Sequence, residues 1–246
     1  ITEGWPLGLQ LAASTLERAV DPHEMIGHLS ARRGDIHRFF FESLLSRLPP
    51  AEAAFLVRIA ILEAVNPEIC EAVTGQSAAA EYLHTLADES PFVTVGEGRR
   101  WMRLHSMARD FLLGQFDKLP AEERRAHYER AAAWYADHGQ LQDAARHALA
   151  AGNDALAIGH ASQCLLDIAR EGRLSEAREW IRRLPLQAIQ RDVQLQLSVA
   201  WVTAVSDDAA KVPLMMERIR QHPQFSDEHR FLAALVSAAA AVFCDQ

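Results

Sequence analysis

The sequence predicts a mainly α-helical protein: a winged-helix unit with one short β-hairpin, followed by a tetratricopeptide-like array of helical hairpins. Three observations predict it. Apolar residues recur at helical spacing along nearly the whole chain. One β-rich pair of segments, 92–95 and 99–104, interrupts that pattern. Past Pro120 the chain breaks echo one another: Gly139-Gln140-Leu141-Gln142-Asp143-Ala144 returns as Gly172-Arg173-Leu174-Ser175-Glu176-Ala177, 33 residues later (139 to 172). Such a period marks stacked hairpins, because each pair buries its apolar face only against its neighbours.

The elements follow in order. In residues 1–33, Pro6 suits a first helical turn, where its missing N–H would be unpaired anyway, and Leu7, Leu11, Ala12 and Leu16 share a face. Asp21-Pro22 ends that helix and begins one carrying Met25, Ile26 and Leu29. Asp35 is an N-cap for Ile36, Phe39, Phe40, Leu44 and Leu45. Pro49-Pro50 breaks the chain, and Ala54, Phe55, Leu56, Ile59 and Leu62 form the next apolar face. Asn66-Pro67 opens a short helix ending at Gly75, and Ser77 caps another reaching Asp88. After the hairpin, with Gly96-Glu97-Gly98 as its turn, a helix is expected from His105 to Phe116. Beyond Pro120 the expected helices are 121–138, 140–151, 153–170, 173–184, 189–205, 208–221 and 226–243, with Asp207-Asp208-Ala209-Ala210 continuing the register. Ala132, Tyr135, Ala144, Ala148 and Ala151 supply a small-residue seam. The domain division is 1–33, 34–119 and 120–246.

Composition excludes several functions. The 246-residue chain carries a net charge of -8, which repels a phosphate backbone and argues against bulk nucleic-acid binding. Cys70, Cys164 and Cys244 are far apart in apolar settings and read as buried thiols in a reducing, cytoplasmic compartment. No membrane-span length of apolar sequence and no signal peptide is visible. The chain opens at Ile1 and stops after an apolar run, so a segment of a larger protein is expected.

Several segments together resemble one family. Thr2-Glu3-Gly4-Trp5-Pro6-Leu7-Gly8-Leu9 looks like the motif that follows the ATPase core of STAND ATPases. Leu45 to Pro50, Ile59 to Leu62 and Cys70 to Gly75 look like their winged-helix region, and Arg103-Leu104-His105-Ser106-Met107-Ala108-Arg109 looks like its last helix. Glu129 to Tyr135 and Ala144 to Leu149 look like the start of a helical sensor. The chain thereby resembles the MalT-like LuxR-type transcription regulators over residues 2–155, and beyond that in repeat architecture alone. The resemblance implies an ATPase that holds ADP at rest and is at most a slow enzyme. It also implies activation by ATP and a small-molecule or protein effector at the helical-repeat surface, self-association, and promoter DNA bound through a terminal helix-turn-helix.

This chain has no phosphate-binding G-x-x-x-x-G-K-[ST] loop and no catalytic motif, so no catalysis and no tight nucleotide binding is expected of it alone. The resemblance assigns Trp5, Pro6 and His105 to nucleotide binding, with Pro6 packed on the adenine ring and His105 reaching the β-phosphate of ADP. A helix N-terminus with an imidazole donor suits that anion. The plain alternatives are a helix-start proline beside a core tryptophan, and a histidine that caps its helix. Ser106 stands where some relatives carry an aspartate.

Other candidates are weaker. The helix after Ser77 would be the groove-reading one, yet it has Glu81, Asp88 and Glu89 and no lysine or arginine. No metal-ligand spacing exists, and His138 and His147 fall on different helices. Glu122-Glu123-Arg124-Arg125 reads as a solvated charge run. Trp134, Tyr135, Trp180 and Trp201 are candidates to line the array's groove, with at most one of them exposed. The competing function is a helical-repeat interaction scaffold with no nucleotide role.

Overall fold

The computed structural model describes residues 40, 45–46, 48–89, 92–96, 101–206 and 208–244. They divide into two units, Ile1–Trp134 and Tyr135–Gln246.

In the first unit, α1 (Pro50–Ile59) begins at the predicted proline break and buries Phe55, Leu56 and Ile59. Helix α2 (Pro67–Thr74) is defined at both ends by local chemistry. The Asn66 side chain accepts the Ile69 N–H at 3.0 Å, and Gly75 closes the helix by donating to the Glu71 carbonyl. Helix α3 (Ala79–Glu89) starts later than expected. Tyr82 N–H donates to the Ala78 carbonyl, so the cap position falls at Ala78 and not at Ser77.

Strands β1 (Val93–Val95) and β2 (Met102–Leu104) form the antiparallel wing, with Thr94 opposite Arg103. Val65 exchanges two backbone hydrogen bonds with Met102, at 2.8 and 2.9 Å, which ties the wing to the segment before α2. Helix α4 (Ser106–Phe116) buries Phe111, Leu112 and Phe116. Phe40 fills the space between, edge-on to Phe92 at 5.3 Å and stacked on Phe111 at 5.7 Å. Helix α5 (Ala121–Asp137) crosses the boundary between the units.

The hairpins beyond follow with α6 (Leu141–Ala150), α7 (Asp154–Arg170) and α8 (Leu174–Arg183). The helix starts repeat in register: the long helices start at 121 and 154, the short ones at 141 and 174, each step being 33. The seam residues Ala132, Tyr135, Ala144, Ala148 and Ala151 are all buried. The register then changes. The expected helix over 189–205 is two helices, α9 (Leu186–Arg191) and α10 (Val193–Ala204). Asp192 breaks them apart, because its carboxylate caps α10 by accepting the Leu195 N–H at 2.9 Å. The expected helix over 208–221 is a 3-10 turn (Ala209–Lys211) leading into α11 (Val212–Arg220), so Asp208-Ala209 does not repeat the earlier break. Pro213 stands in the first turn of α11, where its missing N–H costs least. Helix α12 (Asp227–Cys244) ends the described chain.

Two apolar clusters hold this second unit. Leu165, Ile168, Ala177, Trp180 and Leu195 belong to one, and Leu197, Val212, Met216, Ile219 and Val236 to the other. Trp201 packs against both. Among the described residues no helix is long and apolar enough to cross a membrane.

Candidate functional site

His105 stands where β2 ends and α4 begins. Its backbone is extended (φ -54°, ψ 138°), which suits a residue that turns the chain into a helix. Its N–H donates to the Phe92 carbonyl at 2.8 Å and its carbonyl accepts the Arg109 N–H at 2.9 Å. The imidazole is half-buried, and Nδ1 accepts the Met107 N–H at 3.3 Å. His105 therefore caps α4. Because Nδ1 accepts, the proton of the neutral ring sits on Nε2, so that nitrogen is a donor at a helix N-terminus. Trp5 and Pro6 lie outside the described residues.

Sequence reasoning missed the role of Arg109, one turn into α4. Its Nε donates to the carbonyls of Ala60 and Leu62 at 2.9 and 3.0 Å, and Nη2 donates to that of Ile61 at 3.3 Å. The guanidinium thus satisfies carbonyls left open where α1 ends. The helix that carries His105 is thereby fixed to α1 as well as to the wing.

A second polar cluster joins α5 to the winged-helix core. Arg58 of α1 donates through Nη2 to Glu123 Oε1 at 3.0 Å and through Nε at 3.2 Å. Glu123 is therefore not merely part of a solvated charge run. Arg58 holds its carboxyl below the usual carboxylate range. His127 is buried, with Nδ1 2.8 Å from the Val73 carbonyl oxygen and 2.7 Å from Arg130 Nη2. Arg130 Nε donates to the same carbonyl at 2.7 Å. Burial pushes the His127 pKa down.

The four aromatic candidates for the array's groove are packed: Tyr135 and Trp180 are buried, Trp134 and Trp201 half-buried. Trp134 meets Trp101 edge-on at 6.5 Å. His147 is also spoken for, with Nδ1 2.8 Å from the Asp143 carbonyl oxygen and its ring against Tyr135. Among the described residues no group of three His, Cys, Asp or Glu side chains is placed to hold a metal ion.

Comparison with known proteins agrees with this architecture. Residues 41–125 match the family described as the MalT winged helix domain. The chain is 26% identical over 253 residues to the serine/threonine-protein kinase PknK of Mycobacterium tuberculosis, covering 100% of this chain and 23% of that protein. It is 26% identical over 230 residues to the HTH-type transcriptional regulator AlkS of Pseudomonas putida, covering 90% and 24%. With the HTH-type transcriptional regulator MalT of Serratia proteamaculans it shares 23% over 223 residues, covering 89% and 25%. The chain spans about a quarter of the length of these relatives. It carries a MalT winged helix domain and is homologous, at modest identity over most of its length, to the transcriptional regulators MalT and AlkS.

Proposed function

We propose that this segment is the regulatory and sensor part of an ATP-dependent, effector-responsive transcription activator. It couples nucleotide state to effector binding at the hairpin array and to self-association. The observation that supports it most is the position of His105. A capping histidine with its donor on Nε2 opens the last helix of a MalT-type winged helix, ahead in sequence of helices that repeat with a 33-residue step. ADP bound by a neighbouring ATPase core would meet that donor and a helix N-terminus, both suited to a phosphate. Trp5 and Pro6 would complete the adenine side. Losing the contact on activation would shift the population toward the open, self-associating form.

In this reading the segment does no catalysis, and the kinase name among the relatives describes that protein. Promoter DNA is bound elsewhere in the regulator. Helix α3 argues for this, since it carries Glu81, Asp88 and Glu89 with no lysine or arginine, and His84 faces Asp88 at 3.3 Å. The alternative is an interaction scaffold without nucleotide control.

Two substitutions in the full-length regulator separate cap from ligand. His105→Ala removes both the helix cap and the imidazole, whereas His105→Asn keeps a good cap and removes only the imidazole. Both are expected to weaken ADP binding and raise effector-independent transcription. Unchanged ADP affinity and basal transcription in both variants would leave the scaffold reading standing.

A further inference from the structure

The second unit holds an open cavity of about 620 Å³ between α8 and α10. Its lining follows helical spacing. Arg178, Ile181 and Arg182 come from one face of α8, and Val199, Val202 and Thr203 from one face of α10. Ile181, Val199 and Val202 give it an apolar floor, with Val202 buried and the other two half-buried.

The charge at its rim is unbalanced. Neighbouring arginines have carboxylates: Arg183 of α8 pairs with Glu179, and Arg173, just before that helix, with Glu171 and Glu176. Those pairs use up the acidic residues of that helix. Asp208, the carboxylate at the cavity, is held by Lys211 at 2.6 Å. The side chains of Arg178 and Arg182 make no ion pair or hydrogen bond among the described residues. They stand four residues apart on one helix face, so they repel each other when nothing lies between them.

The hydroxyls sharpen the chemistry. Thr203 donates its proton to the Val199 carbonyl and Ser206 donates its own to the Thr203 carbonyl, both at 2.8 Å. Toward the cavity these oxygens can only accept. Donors for an anion come from the hydroxyl of Ser175 and from the arginines, whose forks match phosphate and carboxylate oxygens.

We propose that this cavity binds a small amphipathic organic anion, its acid group on Arg178 and Arg182 and its apolar body on Ile181, Val199 and Val202. The assignment rests on the sensor reading above for its biological meaning and names the chemical class of the effector. The geometry that supports it belongs to the array alone.

Phenyl phosphate is a suitable probe, with inorganic phosphate (charge without body) and phenol (body without charge) as controls. Titration calorimetry on the 246-residue chain is expected to show saturable binding of phenyl phosphate, weakening as salt is added. Each control should bind at least about tenfold more weakly. Arg178→Gln and Arg182→Gln are exposed-site changes that leave the fold intact, and each should weaken phenyl phosphate about tenfold. No saturable binding, equal binding of inorganic phosphate, or unchanged affinity in the double variant overturns the site. A transcription assay with the same double variant in the full-length regulator tests the sensor reading separately. If the probe binds the chain but effector response survives the double substitution, the cavity stands and its sensor role falls. Absence of binding removes the cavity and leaves an effector site elsewhere in the array open.

Discussion

His127 Nδ1 lies 2.8 Å from the carbonyl oxygen of Val73, so the buried imidazole of α5 is seated on the C-terminal turn of α2. Three charged groups face the ring: Arg130 through Nη2, Arg58 through the field of its guanidinium, and Glu123, whose Oε1 is 3.6 Å from Nε2. Burial is the largest influence and holds the folded-state pKa below the ordinary 6.5. The unfolded chain therefore binds a proton at higher pH than the folded one does. Stability from this site is fully present above pH about 6.5 and is lost as the pH falls through the folded-state value. Glu123, also depressed, adds a second loss below the ordinary carboxylate value of 4.5. Urea unfolding at stepped pH should show the first decline in the wild type and a much flatter profile in His127→Gln. Parallel profiles would refute the assignment.

Arg109 offers a second test. Its fork reaches three consecutive carbonyls, Ala60, Ile61 and Leu62, from another helix. A lysine cannot present two separated donors in that plane. Arg109→Ala is expected to cost about 1.5–3 kcal/mol, the range for hydrogen bonds to a charged group, and Arg109→Lys to recover less than half. Denaturant midpoints decide it: equal midpoints for Lys and Arg would show that charge alone suffices.

Local signals made much of this fold legible. Asn66-Pro67 and Gly75 bracket α2 because cap, N1 proline and closing glycine act within the helix itself. The echo of Gly139 in Gly172 gave the 33-residue step for the same reason. Two features were hidden. The split at Asp192 turns on whether a side chain caps a new helix or sits inside a continuous one, which apolar spacing does not distinguish. The Arg58–Glu123 pair joins residues 65 apart, and nothing local in Glu122-Glu123-Arg124-Arg125 marks which carboxylate turns inward. His105 lay between: its type and position suggested a cap, and the tautomer needed the geometry.

The glycines at one hairpin predict opposite responses to the same substitution. Gly172 has φ 80°, and its region closes α7 with the Arg173 N–H donating to the Ile168 carbonyl. Gly159 lies inside α7. An added Cβ meets nothing within 4 Å at either position, so sterics with neighbours cannot explain any difference. Gly172→Ala is expected to destabilise by about 1–2 kcal/mol through the left-handed backbone. Gly159→Ala should stabilise by roughly 0.5–1 kcal/mol through helix propensity. Thermal midpoints moving in the same direction would contradict the assigned backbone of the repeat turn.

The thiols give the last prediction. Cys70 is fully buried in α2 and desolvation pushes its pKa far above the ordinary thiol value. Cys164 is half-buried and pushed up to about 11, again chiefly by desolvation. Thiolate is the reactive form, so both are poor nucleophiles at neutral pH, and Cys70 is also shielded from the reagent. Under native conditions iodoacetamide should label Cys164 slowly and Cys70 only through unfolding. Peptide mass spectrometry over a time course resolves the two sites. Labelling of Cys70 should rise steeply across the urea transition, whereas Cys164 should already carry label below it. Rapid native labelling of Cys70 would mean that α2 opens without global unfolding, and that the seat of His127 on Val73 is not a stable contact.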